Sequence, residues 1–159
     1  MRTKDALVLR AAHTAEAGEI AKMSRLHIEH GLRWRWTPSK VRSSIKDPDT
    51  MTLVASASGE VVGFAIMRFG DADAHLHLLA VTGKHRRVGI GGMLLRWLEK
   101  SCRNAGIRRI RAELRESNQG ALAFYEALGF RRIGRIPGYY DRREAALVLN
   151  KRLVADTSA

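Results

Sequence analysis

One segment restricts this chain more than any other. An apolar run, Leu76-His77-Leu78-Leu79-Ala80-Val81, leads to Arg86-Arg87-Val88-Gly89-Ile90-Gly91-Gly92 and then to Met93-Leu94-Leu95-Arg96-Trp97-Leu98-Glu99. The pattern predicts a strand, a basic glycine-rich turn and an amphipathic helix from about Gly89 to Asn104. The first turn of a helix has N–H groups without intrahelical acceptors and a partial positive charge, so an anion sits well there. Glycine removes the Cβ that would hold a ligand away, and Arg86 and Arg87 add charge. A dinucleotide fingerprint would need a third glycine where Leu94 stands, and no Gly-Lys-Ser/Thr follows, so the P-loop pattern fails as well. The stretch therefore reads as a pyrophosphate cradle of a different type.

A second segment lies downstream. Ile110-Arg111-Ala112-Glu113-Leu114-Arg115-Glu116 predicts a strand, and the residues from Ser117 to Leu128 predict a helix. Ser117 is the expected N-cap, and Gly129 suits the left-handed stop after the last turn. Asn118 and Tyr125 are seven residues apart, about two turns, and share a helix face. Strand alternation sets Arg111, Glu113 and Arg115 on one face, and likewise His75 and His77.

The R-x-x-G-x-G pattern of Arg86, Gly89 and Gly91 resembles the coenzyme A signature of the GNAT superfamily of N-acetyltransferases. The strand, Asn118, the Ala-rich helix with Tyr125, and Gly129-Phe130 resemble that family's second motif. Gly138-Tyr139-Tyr140 before a terminal apolar strand is a third match, in the same order. Within the family, the ending is most similar to protein N-terminal acetyltransferases, including the bacterial ribosomal-protein alanine enzymes. Where that group commonly has an acidic pair before alanine, this chain keeps one acid, Glu144-Ala145-Ala146.

The resemblance implies an α/β (α+β) fold: a mixed, mostly antiparallel sheet of about seven strands, central strands splayed, with about four flanking helices. It implies a single domain over residues 1–159 and acetyl-CoA as the acyl donor. Leu79, Ala80 and Val81 would offer backbone groups to the pantetheine arm, partly through a bulge. Arg86, Arg87, Val88, Gly89, Ile90, Gly91 and Gly92 would hold the pyrophosphate, and Asn118 the arm from the other side. Tyr125 would act as general acid toward the thiolate and also border the cofactor, and Glu113 would be the general base. On residue chemistry alone, Asn118 is equally a helix cap, Tyr125 a core aromatic, and Glu113 a surface partner of its neighbouring arginines. His75 is a second candidate base. Tyr139 and Tyr140, on a loop between the last two strands, and Trp34 and Trp36, between the first two helices, are the candidate acceptor contacts; a core or lid role for the tryptophans is equally open.

The remaining chain fits one globular unit. Ala6–Ala12 predicts a strand, and a helix from Thr14 has Ile20, Met23, Leu26 and His27 at core spacing. A short helix through Val41 and Ile45 follows Thr37-Pro38. Met51–Ser56 and Val61–Phe69 predict a hairpin across Ser58-Gly59, and Phe130–Ile136 and Ala145–Val154 the last two strands. No apolar run approaches the ~20 residues of a membrane span, and Met1-Arg2-Thr3-Lys4-Asp5 lacks the apolar region of a secretory signal. The lone Cys102 excludes an internal disulfide and fits a reducing cytoplasm, as a packed side chain.

Net charge is +12. Such a surface attracts coenzyme A, acidic proteins or nucleic acid and repels polycations. The arginines are dispersed and no nucleic-acid-binding motif accompanies them, so nucleic acid is not expected as the main partner. No metal-ligand spacing is present, so no metal is expected. The leading expectation is acetyl transfer to a protein or peptide N-terminal α-amine, by direct attack. A small-molecule amine as acceptor and a non-catalytic coenzyme A sensor are the alternatives. The assembly state, homodimer included, is left open.

Overall fold

The computed structural model describes residues 6–85 and 89–154, apart from the side chain of Lys84. Met1–Asp5, and Arg86, Arg87 and Val88 of the glycine-rich stretch, lie outside the described residues. Seven strands form one sheet in the order β1-β2-β3-β4-β5-β7-β6. They are β1 (Val8–Ala11), β2 (Thr50–Ala57), β3 (Glu60–Phe69), β4 (Asp73–Val81), β5 (Arg109–Arg115), β6 (Arg131–Tyr140) and β7 (Glu144–Arg152). Four α-helices accompany them: α1 (Ala17–His27), α2 (Pro38–Lys46), α3 (Ile90–Asn104) and α4 (Gln119–Ala127). The β4–β5 pair is parallel, whereas β1–β2, β5–β7 and β6–β7 are antiparallel, so the sheet is mixed as expected.

The chain divides into two compact units, Met1–Met67 with Leu78–Leu98, and Arg68–His77 with Glu99–Ala159. In the first, β3 is buried on both faces from Val61 to Met67, which a central strand requires. Ile20, Ala21, Met23, Val41, Phe64 and Leu78 belong to its core. Leu26, expected there, is 62% exposed on the last turn of α1. Thr37 caps α2 by accepting from the Lys40 N–H, and Pro38 takes the first helical position, where its missing N–H costs nothing.

Gly63 on β3 has a steric role that the sequence did not reveal. A Cβ there would stand 3.2 Å from the Ala80 carbonyl oxygen and 3.3 Å from both Ile90 Cγ2 and Val81 Cγ2. The end of β4 and the start of α3 thus close onto bare backbone. Gly63→Ala forces them apart, and we expect a loss of about 1–3 kcal/mol from overpacking, read as a lower Tm; an unchanged Tm would show that this contact is slack.

In the second unit, Ile110, Ala112 and Leu114 of β5 are buried and share a face with Lys151, Leu149 and Leu147 of β7 through the register. That face is covered: Lys151 Nζ reaches buried Glu99 on α3 at 2.7 Å. The opposite face carries Arg109, Arg111, Glu113 and Arg115. The β4–β5 ladder pairs Asp73–Leu76 with Arg109–Ala112 and ends there, although β5 continues to Arg115. Burial alternates without a break from Ala74 to Val81, so the bulge expected near Leu79–Val81 leaves no mark on it. Cys102 is fully buried, and burial pushes its thiol up to about 12, in keeping with a packed, inert side chain.

Candidate active site

The first unit holds the described part of the candidate cradle. Gly89, with φ +83°, occupies the left-handed region that side chains rarely adopt, and nothing lies within 4 Å of where its Cβ would stand. Its carbonyl accepts from the Met93 N–H at 3.0 Å, which makes Gly89 the N-cap of α3. The N–H groups of Ile90, Gly91 and Gly92 therefore occupy the first helical turn, the anion-binding position. Arg96, one turn on, folds its guanidinium back over Gly92, with Nη1 3.1 Å from where a Cβ would be. A cation at the positive end of a helix favours an anion beside it. Arg96 escaped the sequence reading; its i+4 spacing from Gly92 was the available signal. Of the expected backbone contacts to the arm, Ala80 is buried and Leu79 and Val81 are half-buried.

Trp34 and Trp36 also lie in this unit, packed against the core cluster. Trp34 donates to the Ala21 carbonyl at 3.2 Å, and Lys40 Nζ stands 4.2 Å over the Trp36 ring. Their loop is organised by Glu29, a buried carboxylate that accepts from Ser24 at 2.7 Å, the Arg35 N–H at 2.8 Å and the Trp36 N–H at 3.2 Å. These contacts give both tryptophans a packing role.

The second unit gathers the titratable residues. Glu113 has a side chain only 7% exposed, gripped from two sides. Oε1 accepts from Arg111 Nε at 2.9 Å, and Oε2 meets His75 Nε2. Burial pushes the Glu113 carboxyl up, but His75 and then Arg111 outweigh it and hold it below the usual carboxylate range. The parallel register makes this pair possible: His75 sits opposite Arg111, so Glu113, two residues on, is its diagonal neighbour on the same face. The two candidate bases are thus one hydrogen-bonded pair, with the His77 ring 4.3 Å from that of His75. Tyr140 is nearby; burial, then the charges of Tyr139 and Glu113, push its phenol well above the ordinary value.

Two expectations need correction. Tyr139 and Tyr140 are the last residues of β6, with the turn confined to residues 141–143, and Tyr140 pairs with Glu144 across the ladder. Edge strands tolerate Pro137, which has no N–H to give, so the strand runs through Pro137-Gly138 instead of stopping at Ile136. Asn118, not Ser117, is the N-cap of α4: its Oδ1 accepts from the Ala121 N–H at 3.0 Å. The Ser117 N–H instead donates to Glu144 at 2.8 Å. Tyr125 is a buried residue of α4, edge-on to Phe124 and Phe130 at 5.1 and 5.2 Å, and burial raises its phenol far above the ordinary value. Gly129 follows α4 with φ +94°, as expected.

Glu144 joins the β5–α4 connection to β7. Hydrogen bonds from Ser117, together with Arg115 at 2.8 Å, pull its carboxyl down to about 2. A carboxyl lowered in the folded state gives stability that is complete above its unfolded value and is lost as pH falls toward the folded one. Between about pH 4.5 and 2, the protein should therefore lose more Tm than Glu144→Gln does. Parallel melts at pH 7 and pH 3 check this, and equal losses would contradict it.

The sequence model of the Acetyltransferase (GNAT) family matches residues 17–130, a span that takes in both units. The chain is 30% identical over 129 residues to the ribosomal protein bS18 alanine N-acetyltransferase of Escherichia coli K12, covering 77% of this chain and 85% of that one. Among solved structures, the ribosomal-protein-S18-alanine N-acetyltransferase from Escherichia coli matches with TM-score 0.78 and 25% identity, over 97% of this chain and 99% of that one. Ard1 from Thermoplasma volcanium has the same fold, with TM-score 0.83 at 22% identity over 94% and 99% of the two chains. This chain belongs to the GNAT family and is an N-acetyltransferase. Among the described residues no helix is long and apolar enough to cross a membrane, and no cluster of three metal-ligating side chains occurs.

Proposed function

We propose that this chain transfers the acetyl group of acetyl-CoA to the α-amine at the N-terminus of a polypeptide. The observation that carries this reading is the shielded carboxylate of Glu113, ionised by Arg111 and His75, one strand-to-helix connection away from the buried phenol of Tyr125. The open left-handed Gly89 and the Gly91-Gly92 turn suit a diphosphate, and the relatives' names supply the acceptor class.

In this reading, the N–H groups of Ile90, Gly91 and Gly92 bind the diphosphate, with Arg86, Arg87 and Val88 completing the cradle and Arg96 adding charge. The backbone of Leu79–Val81 and the Nδ2 hydrogens of Asn118 orient the pantetheine arm. Acetyl-CoA, once bound, supplies an already activated thioester, so positioning and proton transfer are what the chain must add. Glu113, with His75 behind it, accepts a proton from the attacking amine. Tyr125, protonated at any physiological pH, gives one to the departing sulfur. Tyr139, Tyr140, Trp34 and Trp36 frame the acceptor, and the reaction takes place in the cytoplasm.

The test is turnover of acetyl-CoA with panels of peptides and small amines, followed by thiol release. Peptides with a free α-amine should react and N-terminally blocked ones should not. Faster turnover of small amines would overturn the acceptor, and tight coenzyme A binding without thiol release would overturn catalysis.

A further inference from the structure

The Glu113 face of the second unit is shielded at Glu113 but exposed at its other end, where it carries a row of cations. Register puts Arg109 opposite Arg152, and Arg111 and Arg131 both opposite Asn150, all on the face that holds Glu113. These four guanidiniums come from three adjacent strands, a width of about 10 Å. Arg109 is paired with Asp73 at 3.0 Å and Arg111 with Glu113, yet both side chains remain about half exposed. Among the described residues no acidic partner is seen for Arg131 or Arg152, both exposed. Like charges gathered on one small surface repel one another unless a counter-charge arrives.

We infer that this arginine row binds an acidic stretch of the acceptor polypeptide, making the enzyme selective for N-termini followed by Asp or Glu. The inference rests on the proposed acetylation of polypeptides and adds the acceptor's charge. Arg111 lies two residues and Arg109 four residues from Glu113 along β5. At about 3.3 Å per residue, an extended acceptor with its amine at Glu113 brings roughly its third to fifth residues over the row. Nucleic acid fits less well, because bases need aromatic platforms. At this end of the face the guanidiniums are accompanied by Asp73, His75 and Asn150 instead.

The experiment uses peptides identical in their first two residues, with acidic, neutral or lysine residues at positions three to five. We expect kcat/KM for the acidic peptide to exceed that for the neutral one by about tenfold at low salt. The ratio should shrink as salt rises, and Arg131→Glu/Arg152→Glu should bring it near one or invert it. Fluorescence anisotropy with the same peptides should give the same ranking of Kd, so the inference is decided even if no peptide is acetylated, an outcome that would sink the proposed reaction instead. Equal binding of acidic and neutral peptides overturns it, as does a ratio untouched by the double variant. Tight, salt-sensitive binding of a single-stranded RNA oligomer with no charge ranking among peptides overturns it too.

Discussion

Tyr125→Phe is expected to lower kcat by at least about a hundredfold, the usual size of a lost proton transfer, while the Kd for acetyl-CoA stays nearly constant. The ring keeps its edge contacts with Phe124 and Phe130, so only the hydroxyl is lost. Burial holds that hydroxyl in its neutral form, which makes it a donor that is never spent by ionisation. The change should therefore fall on the step that expels sulfur and not on binding. Stopped-flow or steady-state thiol release with calorimetry of the cofactor separates the two quantities. Wild-type kcat in the variant would remove Tyr125 from the chemistry and leave it as a core aromatic.

Glu113→Gln should cost about a hundred- to a thousandfold in kcat/KM for the acceptor. The amide keeps the shape of the carboxylate but can neither take a proton nor answer the charge of Arg111. Because His75 and Arg111 keep the native carboxyl below its ordinary value, it is already ionised throughout the neutral range. Glu113 should then add no limb of its own above about pH 4.5, and kcat/KM should rise with pH through the amine's own ionisation, near pH 8. Wild-type and variant pH profiles of kcat/KM measure this. Little loss in the variant would pass the role of base to His75 or to solvent.

The parts of this molecule that were legible in the sequence are the ones built from short-range signals. Gly89 to Asn104 was readable as a glycine-started amphipathic helix, and Thr37-Pro38 as the start of α2, because cap and periodicity lie within one turn of each other. Ser117 and Asn118 were exchanged because both are good caps and only backbone geometry chooses between them. Leu26 has core spacing, yet it lies on the outer side of the last turn of α1 and is 62% exposed. The pairing of His75 with Glu113 spans 38 residues and depends on the parallel register of β4 and β5, which no local pattern encodes. Glu29 carried no reading from the sequence. Besides Ser24, its partners are backbone N–H groups six and seven residues on, which leave no side-chain signature.

The most direct measurement is to find where the acetyl group goes. A peptide with both a free α-amine and an internal lysine, incubated with the protein and acetyl-CoA, can be mapped by tandem mass spectrometry. Acetyl on the terminal nitrogen alone, formed at least about a hundredfold more slowly by Glu113→Gln, is the expected result. Acetyl on the lysine ε-nitrogen, or none on either with the wild-type protein, would contradict the assignment of this chain as an α-amine acetyltransferase.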